Sequence, residues 1–455
     1  MKTLLRGGIV VSGAGMIPAD VLIDGETVAA VGDLRPEADT EVVDVSGKLL
    51  FPGFIDAHTH FELFVCNTVT ADDFYTGGRA ALRGGTTMVI DFASPGADGS
   101  LQTGLADWHR KAEKRGCACD YGFHMTIESA RPEVFAEIPQ MFAQGVSSFK
   151  MYMTYASRLS DHDLFLALQQ MKRCGGIAGV HCENSGVIDA LIEQNKAAGN
   201  VSPAAHPASR PAELEAEAVA RLLKLAAVVD VPVVIVHLSS EAGLYEVRAA
   251  RARGQKVYVE TCPQYLYLDD SRYDLPDFEG GRYVCAPPLR KPADQAALWK
   301  ALAADEIQTV STDHCSFTLA QKDAGRGDFT KIPGGLPGVE TRGLLLYTAV
   351  AAGRITAVQM CRVLSENPAK LYGVYPRKGV IAAGSDADIV VLDPHGHGVI
   401  TAADQLANVD YSPYEGMPVQ GRIDAVYLRG RLSVQDGAVL CDNGGSFVER
   451  RRGDL

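Results

Sequence analysis

The sequence predicts an α/β fold: a (β/α)8 barrel of TIM type with a small β-sandwich domain built from both termini. Three observations carry this. From about residue 52 to 370, eight short apolar runs alternate with helical stretches. The two ends, 1–51 and 371–455, have a different texture of short strand-like runs broken by Gly, Asp and Pro turns. Histidines recur at the C-terminal ends of the middle runs, the face on which such barrels carry their sites.

At the N-terminus, strands are expected over Leu4–Val11, Val21–Ile23, Val28–Val31 and Glu41–Val45, with turns at Asp24-Gly25 and Gly32-Asp33. The eight middle strands are Phe54–His60, Thr86–Phe92, Tyr121–Ile127, Ser147–Met153, Ile177–His181, Pro232–His237, Lys256–Glu260 and Gln308–Asp313. Helices between them include Asp72–Arg83, Asp161–Arg173, Ala212–Val229, Ala242–Arg253 and Gln295–Ala304. The helix at Ala212 opens on Ser209-Arg210-Pro211, read as an N-cap followed by a first-turn proline. Thr70 to Phe74 reads as capping at another helix entry. Alternation argues a parallel sheet, and eight units is the number that closes a barrel; a doubly wound open sheet is the alternative. Asp388–Leu392, Ala425–Arg429 and Gly430–Val434 return to the strand texture of the start.

Composition narrows the function classes. With 47% hydrophobic and 22% charged residues in 455, the chain is neither disordered nor fibrous. A net charge of −13 without a basic block lacks the electrostatic footprint of a nucleic-acid binder. No apolar run reaches the ~18 residues of a membrane span. Arg6-Gly7-Gly8 interrupts the apolar start before a signal peptide can form, so a cytoplasmic chain is expected. The ten cysteines form no disulfide framework and read as free thiols.

The chemistry gathers at strand ends. In His58-Thr59-His60 the two imidazoles share a face and Thr59 turns away. Paired neutral imidazoles suit zinc or a similar divalent ion, and alone they could equally be hydrogen-bonded core residues. His181, His237 and Asp313 at other strand ends favour the metal. Lys150 ends the fourth strand. A charged lysine beside a cationic metal is costly and has no lone pair to offer, so Lys150 either snorkels outward or is modified.

Phe51-Pro52-Gly53-Phe54-Ile55-Asp56-Ala57-His58-Thr59-His60 resembles the first-strand motif of the amidohydrolase superfamily. Ser148-Phe149-Lys150, Glu260-Thr261-Cys262-Pro263-Gln264-Tyr265-Leu266, Ala286-Pro287-Pro288-Leu289-Arg290 and Thr312-Asp313-His314-Cys315 resemble its dihydropyrimidinase/hydantoinase branch. So do Asn367-Pro368-Ala369-Lys370 and Gly384-Ser385-Asp386-Ala387-Asp388, while Gly335 to Arg342 and the arginine-rich tail look most like phenylhydantoinase-type members. The resemblance implies two divalent metals, usually zinc: one on His58, His60 and Asp313, the other on His181 and His237, bridged by a CO2-derived carbamate on Lys150. It implies ring opening of 5-substituted hydantoins or dihydropyrimidines to N-carbamoyl amino acids by a metal-bridging hydroxide. Asp313 would be the acid–base residue and Tyr155 the oxyanion donor. Backbone groups at Ala286 and Gly334 would hold the ring; the family's usual Ser and Asn are absent at both. A homotetramer is expected on the same ground.

Allantoinase-like and dihydroorotase-like activities share the scaffold. Dihydroorotases hold a substrate carboxylate with an Arg near the first strand, and Phe61-Glu62-Leu63 offers none. A non-catalytic scaffold homologue is the remaining alternative, against which the complete ligand set argues. Leu63, Phe64, Val65, Met151, Tyr152 and Leu159 are read as a side-chain pocket or as loop packing. His109, His124, His162, His206, His395 and His397 are expected to be structural or superficial. His314 and Cys315 are expected beside the site, and Glu260 is given no ligand role.

Overall fold

The computed structural model describes residues 2–455. Eight strands form the barrel: β1 Phe54–Thr59, β2 Thr86–Ala93, β3 Asp120–Thr126, β4 Ser148–Tyr152, β5 Ile177–His181, β6 Val233–Ile235, β7 Val257–Thr261 and β8 Thr309–Val310. Each pairs in parallel with the next, in chain order. A parallel bridge between Thr59 and His314 closes the ring. There the His60 N–H donates to the His314 carbonyl at 2.8 Å, and the His314 N–H to the His58 carbonyl at 3.3 Å.

Two strands are shorter than expected: β6 stops at Ile235 and β8 at Val310. His237 (φ 39°) and Asp313 (φ 51°), beyond those ends, adopt left-handed backbone. Both site residues therefore lie outside the sheet. Another expectation needs correction at residue 211. The helix Ala212–Val229 is capped by Pro211, without a side-chain bond. Ser209 instead turns its hydroxyl back to the Ala205 carbonyl at 2.8 Å. Asp73, by contrast, caps Phe74–Arg83 by accepting the Thr76 N–H.

The seam between β8 and β1 holds buried charge. The Arg342 guanidinium, fully buried, donates to the carbonyls of Ile55 and Val310 and to the Thr86 hydroxyl, each at 2.9 Å. Asp56 lies beside it, 3.8 Å away. Asp56 also accepts the Thr312 hydroxyl at 2.7 Å and the Thr312 N–H at 3.1 Å. One arginine thus ties β1, β2 and β8 together, below the strand ends that carry the site.

Nine strands from both termini form a second sheet. The halves meet where Leu49–Pro52 pairs antiparallel with Ile389–Val399. The sheet encloses its own core of Leu5, Val21, Val28, Leu50, Ile389 and Val391. At its junction with the barrel, Lys378 Nζ sits 2.6, 2.8 and 2.9 Å from Asp388, Asp120 and Asp386. A lysine fills the centre of that acidic group, so it is an ion-pair lock between β3 and the second sheet. The C-terminal tail tucks against the barrel, where buried Arg450 donates to the Ser148 hydroxyl at 2.7 Å and to the Phe123 carbonyl. All ten cysteines are free, and only Cys66 is exposed. Among the described residues no helix is long and apolar enough to cross a membrane.

Removing one partner of a buried charged cluster leaves the others uncompensated. Arg342→Met is expected to lower stability by ~3–5 kcal/mol. Breaking the exposed Arg110–Asp107 pair should cost less than ~1 kcal/mol. Thermal unfolding of the two variants side by side checks this; equal midpoints would contradict the role given to the seam.

Candidate metal centre

β1 carries His58 and His60 on one face, with ring centroids 5.2 Å apart. His237, just beyond β6, lies 5.3 Å from His58, and His181, at the end of β5, lies 4.5 Å from His237. The four imidazoles form an arc across the barrel mouth. Asp313 Oδ1 closes one end, 3.1 Å from His58 Nε2 and 3.0 Å from His60 Nε2. Ligand atoms of His58, His60 and Asp313 all fall within 4.8 Å of one another, a group that could hold one cation. His181 and His237 could hold a second.

Lys150 sits inside this arc. Its Nζ is 3.4 Å from His58 Nε2 and 4.8 Å from the Phe92 ring centre, and the residue is 1% exposed. It does not snorkel. Burial, opposed by the Asp313 and Glu260 charges, pushes its amine down to about 8. Lys150 and Tyr152, two apart on β4, both face the cavity.

Carboxylates behind the ring orient the imidazoles. Glu260, at the end of β7, accepts from His58 Nδ1 at 2.6 Å, which leaves the Nε2 lone pair for the cavity, and it accepts the His237 N–H at 3.2 Å. Glu183 accepts from His181 Nε2 at 2.7 Å and from Arg210 at 2.6 Å, leaving His181 Nδ1 free. Burial favours its neutral form, yet the Arg210 charge and the His181 bond pull Glu183 down to about 2, so it stays ionised. Burial depresses His60, His181 and His237 below the usual imidazole value, and the neutral ring is the form that binds metals. Against its own burial, the His58 and His60 rings hold the Asp313 carboxyl well below the usual range.

The segments around these residues are held just as tightly. Asp91 on β2 accepts the Thr59 hydroxyl and the Phe61 N–H, both at 2.8 Å, and the Trp108 indole N–H at 2.9 Å. This is where Thr59 turns. His314 donates to Asp72 at 3.0 Å and accepts the N–H groups of Gly338 and Val339. Four residues lining the cavity have left-handed backbone without being glycine: His237, Asp313, Tyr155 (φ 70°) and Cys66 (φ 53°). Such strain costs ~1–3 kcal/mol each and collects at functional sites.

All nine residues singled out in the sequence line one cavity of about 650 Å3: His58, His60, Lys150, Tyr155, His181, His237, Ala286, Asp313 and Gly334. The Tyr155 ring lies 5.0 Å from His181. Gly334 faces Ala286: a Cβ built on it would lie 4.0 Å from the Ala286 nitrogen, in ordinary van der Waals contact. Leu63, Phe64, Val65 and Tyr152 line the wall, whereas Met151 and Leu159 belong to the barrel core. Met151 alternates with its neighbours on β4 and so points away.

Sequence reasoning missed several neighbours. Arg210, read as part of a helix entry, lines the cavity and pairs with Glu183. Glu183 carried a signal, two residues after His181. Ile192, Phe329 and Ile332 reach the wall from segments without a motif. His206 also lines the cavity, but its Nε2 is spent on the Cys285 carbonyl at 2.7 Å.

Residues 49–433 match the model of the amidohydrolase family. The chain is 45% identical to a D-hydantoinase of Streptomyces coelicolor over 443 residues, 96% of this chain and 95% of that one. It is 40% identical to a D-phenylhydantoinase of Escherichia coli over 456 residues, 99% of this chain and 98% of that one. The crystal structure of dihydropyrimidinase from Brevibacillus agri superposes with a TM-score of 0.98 at 42% identity, covering 100% of both chains.

Proposed function

The chain belongs to the hydantoinase branch of the amidohydrolase family, and from that premise we propose that it opens the ring of 5-substituted hydantoins or dihydropyrimidines to N-carbamoyl amino acids. The observation that carries this is the convergence of four imidazoles, an aspartate and a buried lysine on one cavity. The donor set fits a pair of divalent metals, with zinc as the reading the resemblance favours. Buried ring nitrogens of His60 and His237 have no hydrogen-bond partner, as expected where a ring's business is with an ion. His58, His60 and Asp313 would hold one ion, and His181 and His237 the other.

Lys150 would complete both. As an ammonium it would add a cation beside two others. As a neutral amine, a form that its value of about 8 makes more accessible than in a free lysine, its nitrogen would attack the carbon of CO2, forming an N–C bond as one C–O π bond opens and one proton leaves the nitrogen. The resulting carbamate would carry one negative charge shared over two oxygens, so that each could serve as a metal ligand. Metals so held supply Lewis acidity to a carbonyl and make water a nucleophile near neutral pH.

The remaining steps belong to the chain's own side chains. Asp313 takes the proton from the attacking water and gives it to the ring nitrogen as the C–N bond breaks. The Tyr155 hydroxyl donates to the oxygen on which charge develops. Backbone groups at Ala286 and Gly334 hold the imide edge; backbone contacts survive the loss of the Ser and Asn usual in relatives. The 5-substituent lies against Leu63, Phe64, Val65 and Tyr152. The reading carries with it a homotetramer, as the resemblance implies.

Lys150→Ala is expected to lose metal and activity together and to regain part of both with a short carboxylic acid and added metal. Full turnover by the variant without added acid would remove the carbamate from the account. Burying a phenyl substituent on the apolar wall contributes ~1.5–3 kcal/mol, or about ten- to a hundredfold in kcat/KM. Phenylhydantoin should therefore exceed dihydrouracil by that margin on one metal-loaded sample. A tenfold preference for dihydrouracil would make the protein a pyrimidine-degrading enzyme and the apolar wall mere packing.

A further inference from the structure

The short helix Leu319–Asp323 contributes no side chain to the cavity wall, yet two consecutive residues on it hold the walls that do. Lys322 is 1% exposed. Its ammonium has three N–H donors, and all three go to backbone carbonyls: Val284 at 2.7 Å, Pro333 at 2.7 Å and Gly335 at 2.8 Å. These carbonyls flank Ala286 and Gly334. The same two loops are tied directly by the Gly335 N–H to the Val284 carbonyl at 3.0 Å. A buried charge without a carboxylate partner is costly, so this one is retained against a penalty that the three carbonyls must offset.

Gln321 faces the opposite way. Its side-chain oxygen caps its own helix by accepting the Thr318 N–H at 2.8 Å. Its amide nitrogen donates to the Thr68 hydroxyl and to the Val69 carbonyl, both at 2.7 Å. Those residues are the return strand of the hairpin Phe64–Val65/Thr68–Val69, which brings Phe64, Val65 and Cys66 to the cavity. The helix itself follows Asp313 after a handful of residues. Three parts of the site are thereby referenced to one turn of helix.

We propose that Lys322 and Gln321 are positioning residues with separable duties: Lys322 fixes the backbone pair that grips the ring, and Gln321 fixes the hairpin that meets the substituent. The inference rests on the cavity being a cyclic-ureide site, but its structural half can be read without turnover.

The test uses Lys322→Met and Gln321→Glu in the full-length, metal-analysed protein; the glutamate keeps the cap and removes the two donated bonds. Lys322→Met should raise KM about tenfold for dihydrouracil and phenylhydantoin alike, with kcat and metal content changed far less. Gln321→Glu should leave dihydrouracil unchanged and reduce the preference for phenylhydantoin severalfold. Hydrogen exchange should rise at 284–290 and 333–339 in the first variant and at 63–70 in the second, with the barrel strands unaltered. If Lys322→Met does not fold, Lys322→Gln, which keeps two donors, should show the same pattern at lower amplitude. Equal scaling of both substrates by both variants, or unchanged exchange in the named loops, overturns the proposal. If the wild type opens neither ring, the ureide reading fails, and the exchange pattern alone decides the positioning claim.

Discussion

An ammonium held in a dry barrel mouth beside four imidazoles raises the energy of every cation brought near it. Lys150 stands in that position, buried with its Nζ 3.4 Å from His58 Nε2. Glu260 and Glu183 do not pair with it; they stand behind the imidazoles and fix their lone pairs toward it. Asp313 leans on His58 and His60 and not on the amine. In the proposed reading, a carbamate would turn this cation into a second anion, facing Asp313 across the arc of histidines.

The rest of the fold serves to bring these groups together from distant parts of the chain. His58 and Asp313 come from the first and last barrel strands, so their meeting depends on the closing seam. Asp56, Thr312 and Arg342 bind that seam below the site, and the Thr59–His314 bridge completes it above. Left-handed backbone at His237 and Asp313 then carries both side chains out of the ladder. Seam and strain act together: the first fixes the strand ends, and the second aims what leaves them.

Much of this was legible in the sequence because barrel periodicity and ligand spacing are local signals. Four of the eight apolar runs end in His or Asp and a fifth carries Lys150, a pattern that puts His58, His60, Lys150, His181, His237 and Asp313 on one face. What was not legible is set by contacts across the fold. Arg210 looked like helix-entry chemistry because nothing nearby revealed that it meets Glu183. β6 and β8 are shorter than their apolar runs, because an apolar pattern does not register where ladder pairing stops. For Met151, Tyr152 and Leu159 the sequence leaves pocket and packing open, and strand alternation and burial assign Met151 and Leu159 to packing and Tyr152 to the wall. Lys322 carried no motif weight, since its three acceptors lie on loops that sequence alone does not bring together.

The central claim is that Lys150 joins two metals as a carbamate. The most direct measurement is a crystal structure of the protein purified without chelator, with anomalous data at the zinc edge. The account predicts two anomalous peaks about 3.5–4 Å apart, one beside His58 and His60 and the other beside His181 and His237, with branched density on Lys150 reaching both. A single peak, or two peaks with a bare amine on Lys150, would contradict it.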